Sequence, residues 1–214
     1  MDRRTYLQTW SALHGGAPAT GLVRGWLTGV HALARPLVAA RTPPAVITLT
    51  GTALAAAAVA VAVATGPGGS GAVLVAALLT AGGLLDNLDG AVAVMRSRTS
   101  ARGALLDASC DRVGDACCAL VLWAAGAPAW LALTAGGLGQ LQEYVRARAQ
   151  GLGVQDVGVV SVAERPVRIA VAAACTVATA IVPTVGWPGL GAAVWVGLGL
   201  VGLVQVGAAV WRRL

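Results

Sequence analysis

Residues 84 to 118 read LLDNLDGAVAVMRSRTSARGALLDASCDRVGDACC, and this stretch places five aspartates in one of the most apolar parts of the chain: Asp86, Asp89, Asp107, Asp111 and Asp115. An α-helix turns by about 100° per residue, so the first two share one helix face and the last three share another. Only the short turn RSRTSARG, residues 96 to 103, separates the two groups. We therefore predict a helical hairpin whose two acidic faces meet.

The composition around this hairpin is typical of an integral membrane protein. The 214 residues are 57% hydrophobic and only 11% charged, and their mean hydropathy is +0.76. A soluble domain of this length needs far more charged surface. Six apolar runs are long enough to cross about 30 Å of hydrocarbon. These runs cover residues 45–65, 71–94, 104–125, 128–145, 167–184 and 188–211. The sequence therefore predicts an all-α fold of about six transmembrane helices.

The distribution of arginine predicts how these helices are oriented. All 15 basic residues are arginines. Apart from Arg112, which lies in the third run, they precede the first run, follow the second, lie around the loop after the fourth, or end the chain, while the other three turns carry none. By the positive-inside rule, both termini and the hairpin turn are cytoplasmic in a cell membrane protein. The net charge of +6 then belongs to one membrane face, which favours anionic lipid over nucleic acid as its partner.

The chain is predicted to form one domain, 1–214, with a surface segment at residues 1–42 and a transmembrane bundle at 43–214. Residues 20–40 place apolar and basic side chains on opposite faces of a helix: Leu22, Trp26, Val30 and Leu33 against Arg24, His31 and Arg35. This pattern predicts an amphipathic helix at the membrane interface. A solvated linker is the alternative.

The aspartates need a cation, because each carboxylate near the middle of a membrane costs about 2.5 to 3.5 kcal/mol. Arg102 or Arg112 could neutralise one or two of them. A divalent cation is the sharper hypothesis, and a carboxylate-rich group without suitably spaced His or Cys favours Mg²⁺, Mn²⁺ or Ca²⁺ over Zn²⁺. Gly90 and Ala93 also leave a bare helix surface, which suits either a flat ligand or close helix packing.

The spacing Asp86-x2-Asp89-Gly90-x2-Ala93-Val94-x8-Gly103-x3-Asp107-x3-Asp111 resembles the signature of the CDP-alcohol phosphatidyltransferases, D-x2-D-G-x2-A-R-x8-G-x3-D-x3-D. The resemblance implies a membrane enzyme of phospholipid biosynthesis. Such an enzyme transfers a phosphatidyl group from CDP-diacylglycerol to an acceptor alcohol and releases CMP. The resemblance also implies a homodimer.

The roles of individual residues follow from the same resemblance. Mg²⁺, or Mn²⁺, would be held by Asp86, Asp89, Asp107 and Asp111, and Asp111 would be the base that takes the proton of the acceptor. Seven positions would bind the CDP-linked lipid: Pro44, Thr48, Gly90, Ala93, Arg96, Arg98 and Gly103. Asp115 lies outside the signature, and we expect it to pair with an arginine.

Two positions depart from the family pattern. Val94 stands where the family has Arg, so a cation expected near the pyrophosphate is missing, and we predict that Arg96 or Arg98 replaces it from the turn. Ala45 stands where Asn is usual at the entry to the first span. These departures leave open a slow or inactive member of the family. A transporter is a further alternative, because acids within a membrane also mark ion pathways.

The acceptor is indicated by two further segments, EYVRARAQGLG (143–153) and VAERPVRI (162–169). They resemble the corresponding regions of actinobacterial phosphatidylinositol phosphate synthases, which use inositol phosphate. Arg146, Arg165 and Arg168 would then bind the acceptor phosphate, because a guanidinium matches phosphate oxygens. Ordinary arginines of the cytoplasmic face are the alternative.

Overall fold

The computed structural model describes residues 1–13, 19–66, 70–154 and 161–214, and within these ranges its regular structure is entirely α-helical. The helices are α1 (Arg3–Leu13), α2 (Gly21–Ala39), α3 (Pro44–Thr65), α4 (Ala72–Met95), α5 (Ala101–Ala124), α6 (Ala129–Gly151), α7 (Arg165–Ile181) and α8 (Trp187–Trp211). All six predicted runs are confirmed as helices α3 to α8. Helix α1 was not predicted.

Three of these helices, α3, α4 and α8, are long and apolar enough to cross a membrane. Helix α5 carries charged residues from Arg102 to Asp115, and α7 has only 17 residues. Large apolar side chains are nonetheless exposed across the bundle, among them Val73 (67%), Ile181 (73%) and Val204 (70%). Exposure on this scale suits lipid rather than water. The orientation in the membrane and the homodimer stay predictions.

The chain divides into two compact units, and α3, α4 and α5 contribute to both. The first unit comprises Met1–Thr52 and Gly82–Asp111. Its core consists of buried side chains from α1 to α4: Tyr6, Leu27, Val30, Ala34, Ile47, Leu88, Ala91, Val92 and Met95. Helices α3 and α4 approach closely at Gly51, where an added Cβ would lie 3.1 Å from the carbonyl oxygen of Gly82.

Helix α2 confirms the predicted N-terminal helix but has a different buried face. Leu27, Val30 and Ala34 are buried, whereas Trp26 and Leu33 are half exposed, as suits a helix at the membrane interface. The assignment of His31 to the polar face is wrong. Helix α1 covers it, so that its ring centroid lies 5.3 Å from that of Tyr6. His14 lies outside the described residues.

The second unit comprises Ala53–Ala81 and Arg112–Leu214. Its core surrounds Trp195, Leu79 and Leu122, and small residues bring its helices together. A Cβ added at Gly199 of α8 would lie 3.1 Å from Cβ of Leu138 on α6. The four cysteines are free, and Cys110, Cys117 and Cys118 are buried. The single domain 1–214 stays a prediction.

Candidate active site

Three of the predicted metal ligands come together in the first unit. Asp86 projects from α4, and Asp107 and Asp111 project from one face of α5. All three are half buried, and one carboxylate oxygen from each lies within 4.8 Å of the others. The hairpin therefore brings its two acidic faces together, as predicted.

The donor set of this carboxylate cluster fits a hard divalent cation. Oxygens that bind one Mg²⁺, Mn²⁺ or Ca²⁺ at about 2.0 to 2.6 Å lie no more than about 4 to 5 Å apart, which agrees with the observed spacing. Three carboxylates with no His or Cys ligand suit these ions better than Zn²⁺. The cluster is therefore a candidate metal site.

Asp89, the fourth predicted ligand, lies outside this cluster. It is 4% exposed, and both of its carboxylate oxygens accept hydrogen bonds. The hydroxyl of Thr48 donates to Oδ2 at 2.5 Å, and the backbone N–H of Gly90 donates to Oδ1 at 2.5 Å. The structure thus joins Asp89 to Thr48, and its role as a metal ligand stays a prediction.

A cavity of about 200 Å³ in the first unit gathers six of the seven positions predicted to bind the CDP-linked lipid: Pro44, Thr48, Gly90, Ala93, Arg98 and Gly103. Asp89 and Asp107 also line it, so the cavity adjoins the carboxylate cluster. A Cβ added at Gly90 would meet no atom within 4 Å, so the helix surface there is open to a ligand.

The two arginines of the hairpin turn have different surroundings. Arg98 lines the cavity together with Val94, Thr99 and Ser100. Arg96 is the one predicted lipid-binding residue that the cavity does not include, and its Nη1 donates to the carbonyl oxygen of Thr42 at 2.9 Å. Arg98 therefore lines the cavity and Arg96 does not, and the replacement of the family Arg at position 94 stays a prediction.

The three arginines predicted to bind the acceptor lie in the second unit, and two of them, Arg146 and Arg168, belong to a network of acidic side chains. Arg146 of α6 pairs with Glu164 at 2.5 Å and with Glu143 at 3.3 Å. Ser161 donates to Glu164 through both its backbone N–H and its hydroxyl, at 2.7 and 2.8 Å. Burial alone would raise the pKa of Glu164, but the hydrogen bonds from Arg146 and Ser161 lower it below the usual value.

Arg168 of α7 is the most buried of the three arginines, with 1% of its side chain exposed. Its Nη1 donates to Asp115 at 2.5 Å, and its Nε donates to the carbonyl oxygen of Ala163 at 2.7 Å. Glu143 lies 3.4 Å from its Nη2 and so links Arg168 to Arg146. The prediction that Asp115 pairs with an arginine is confirmed.

Glu143, Glu164 and Ser161 belong to this network but were not predicted. One signal was available, because Glu143 and Arg146 are three residues apart, a spacing that brings side chains together on a helix. Glu164 and Ser161 gave no comparable signal. Their contacts depend on how the segment before α7 packs against α6.

Comparison with known proteins identifies the family that shares this arrangement. Residues 41–206 match a family model described as CDP-alcohol phosphatidyltransferase. The archaetidylinositol phosphate synthase of Methanothermobacter thermautotrophicus is 38% identical over 149 residues, which cover 68% of this chain and 74% of that protein. The phosphatidylinositol phosphate synthase of Mycobacterium tuberculosis is 32% identical over 187 residues, which cover 84% of this chain and 82% of that protein.

Solved structures show the same similarity. A crystal structure of the Mycobacterium tuberculosis phosphatidylinositol phosphate synthase in complex with manganese and citrate has a TM-score of 0.67 and 27% identity, over 85% of this chain and 88% of that chain. The same enzyme with CDP-DAG bound has a TM-score of 0.65 and 26% identity, over 85% and 93% of the two chains.

Proposed function

The chain belongs to the CDP-alcohol phosphatidyltransferase family, and on this premise we propose that it transfers a phosphatidyl group from CDP-diacylglycerol to inositol phosphate. One observation carries the proposal. The carboxylates of Asp86, Asp107 and Asp111 converge within 4.8 Å, beside a cavity lined by the signature residues. The relatives named as inositol phosphate lipid synthases support the choice of acceptor.

The reaction makes and breaks one P–O bond. The acceptor hydroxyl oxygen attacks the β-phosphorus of CDP-diacylglycerol, the pyrophosphate P–O bond breaks, and CMP leaves with the bridging oxygen. Asp111 takes the proton of the hydroxyl as the bond forms. A divalent cation at the carboxylate cluster would offset the negative charge of the pyrophosphate.

Residues of the cavity position the CDP-linked lipid in this proposal. The bare surface at Gly90 and Ala93 admits the flat cytosine, and Arg98 donates to a phosphate oxygen. Thr48 fixes the carboxylate of Asp89 through its 2.5 Å hydrogen bond. Each residue binds or orients the substrate, and the chemical step depends on Asp111.

Arg146, Arg165 and Arg168 are the proposed binding residues for the acceptor phosphate. Guanidinium groups form paired hydrogen bonds with phosphate oxygens, which gives an acceptor that carries a phosphate an advantage over free inositol. Glu164 holds the side chain of Arg146 in place and Asp115 holds that of Arg168, so both are ordered before the acceptor binds. Less rotamer entropy is then lost on binding.

The acceptor is tested by incubating the purified protein with CDP-diacylglycerol and Mg²⁺ and one acceptor from a panel. The panel contains inositol phosphate, glycerol phosphate, free inositol and serine, and the lipid products are identified by mass spectrometry. We expect phosphatidylinositol phosphate as the main product. A dominant product from another acceptor would refute the proposed substrate while leaving the reaction class intact.

Arg98→Ala should lower kcat/KM for CDP-diacylglycerol by roughly 10- to 150-fold, because a charge-assisted phosphate contact contributes about 1.5 to 3 kcal/mol. Arg96→Ala should change it less, since Arg96 donates to the carbonyl oxygen of Thr42. Arg102→Ala, an exposed arginine at the start of α5, is the matched control.

The same assay with Val94→Arg completes this test. If Arg96→Ala and Arg98→Ala both behave like the control and Val94→Arg raises activity strongly, then no arginine of the turn replaces the family Arg. The chain would in that case be a catalytically weakened member of its family.

A further inference from the structure

Two neighbouring residues of α5, Gly114 and Asp115, face two arginines of α7. Asp115 pairs with Arg168, which is also held by the carbonyl oxygen of Ala163 and by Glu143. These contacts fix the base of α7 against α5 and α6. Arg165 lies three residues earlier on the same side of α7.

The guanidinium of Arg165 lies against α5 at Gly114, in the space that a side chain would otherwise occupy. A Cβ added at Gly114 would be 2.7 Å from Nη2 of Arg165 and 3.6 Å from its Cζ. A real Cβ does not tolerate a contact of 2.7 Å, so an alanine here would move the end of the Arg165 side chain. Moving this flexible end costs little folding energy, because the backbone of α5 can stay where it is.

A second glycine, on α6, also lies directly beside an arginine guanidinium. A Cβ added at Gly139 of α6 would lie 3.3 Å from Nη1 and 3.4 Å from Cζ of Arg168. Gly137, two positions earlier on the same helix, has no atom within 4 Å of an added Cβ. The glycines beside the two guanidinium groups therefore differ from an ordinary glycine of the bundle.

We propose that Gly114 is a positioning residue for the acceptor: it sets where the Arg165 guanidinium lies and so determines the affinity for the acceptor phosphate. The inference rests on the proposed function of Arg165. The Asp115–Arg168 pair holds the start of α7 against α5, and the missing side chain at Gly114 leaves room for the guanidinium of Arg165 beside α5. Gly114 itself does not touch the substrate in this proposal.

The test compares Gly114→Ala with Gly137→Ala in the purified protein, with CDP-diacylglycerol, inositol phosphate and Mg²⁺. Gly114→Ala should raise KM for inositol phosphate by roughly 10-fold, the size of one charge-assisted hydrogen bond. KM for CDP-diacylglycerol and the unfolding temperature should stay at the control values. A glycine with only a structural role would not raise KM for inositol phosphate while leaving KM for CDP-diacylglycerol unchanged.

A double-mutant cycle with Arg165→Gln identifies the route of the effect. If Gly114 acts through Arg165, Gly114→Ala changes KM for inositol phosphate in the natural background and leaves it unchanged in Arg165→Gln. An equal change in both backgrounds overturns the proposal, and so does a Gly114→Ala variant whose KM equals that of Gly137→Ala.

Failure of the proposed function would look different, because the wild type itself would make no inositol phosphate lipid. The position of the Arg165 guanidinium can then be followed by NMR through its ¹⁵N resonance, which is assigned by its loss in Arg165→Gln. A shift of this resonance in Gly114→Ala but not in Gly137→Ala supports the positioning role. An unshifted resonance in both variants overturns it.

Discussion

Asp111→Asn is expected to abolish turnover while binding of CDP-diacylglycerol survives. The amide keeps the shape of the carboxylate but cannot accept the proton of the acceptor hydroxyl. Loss of a general base typically costs about 10² to 10⁴ in rate, which would bring the reaction close to background. The measurement pairs CMP release with equilibrium binding of CDP-diacylglycerol to the same sample.

The matched control is Asp2→Asn, which removes an exposed carboxylate that accepts hydrogen bonds from the backbone N–H and the hydroxyl of Thr5. This variant should keep wild-type activity. Near-wild-type CMP release in Asp111→Asn would remove Asp111 from the role of base. Loss of lipid binding together with turnover would instead make it a residue of the binding site.

Removal of divalent cations should have an effect as large as the loss of Asp111. Three carboxylate oxygens within 4.8 Å repel one another, and the pyrophosphate brings further negative charge to the same region. We expect no CMP release in EDTA and recovery when excess Mg²⁺ or Mn²⁺ is added. Asp86→Asn and Asp107→Asn should each raise the Mg²⁺ concentration needed for half-maximal rate.

Undiminished CMP release from a fully chelated sample would refute the metal model. A rate that Mg²⁺ restores equally well in wild type and in Asp107→Asn would contradict the assignment of the ligands. Binding of Mn²⁺ to the protein, followed without substrate, separates a missing ion from a failed reaction. The wild type should bind Mn²⁺ more tightly than Asp107→Asn.

The helical hairpin could be predicted from the sequence because local rules determine it. The spacing of Asp107 and Asp111 puts them on one helix face. The short turn after α4 makes α5 return beside it. The position of Asp89 could not be predicted in the same way. Its partner, Thr48, lies 41 residues away, so this contact depends on how α3 packs against α4.

Other features could not be predicted from the sequence for related reasons. Helix α1 is polar overall, and its one buried aromatic residue, Tyr6, gains its partners only when α2 packs against it. For Arg146 and Arg168 the sequence predicted binding of the acceptor phosphate, with an ordinary place on the cytoplasmic face as the alternative, and neither interpretation included ion pairs. Their acidic partners come from three different segments of the chain, which a spacing along one helix cannot reveal.

The alternatives raised by the sequence carry different weight after the comparisons. A transporter would place its acids in two halves of the protein, whereas Asp86, Asp107 and Asp111 lie on one hairpin. The family match makes the chain a member of a transferase family instead. A weakened enzyme rests on Val94 and Ala45, which both line the cavity, and Arg98 lines the same cavity.

The central claim is that this chain catalyses the transfer, and acceptor-dependent release of CMP tests it most directly. Purified protein is incubated with CDP-diacylglycerol, Mg²⁺ and inositol phosphate, and CMP and the lipid product are quantified together. The account predicts that both appear in equal amounts and that neither appears without the acceptor. No CMP with any acceptor, or CMP formed without a new phosphodiester lipid, would contradict it.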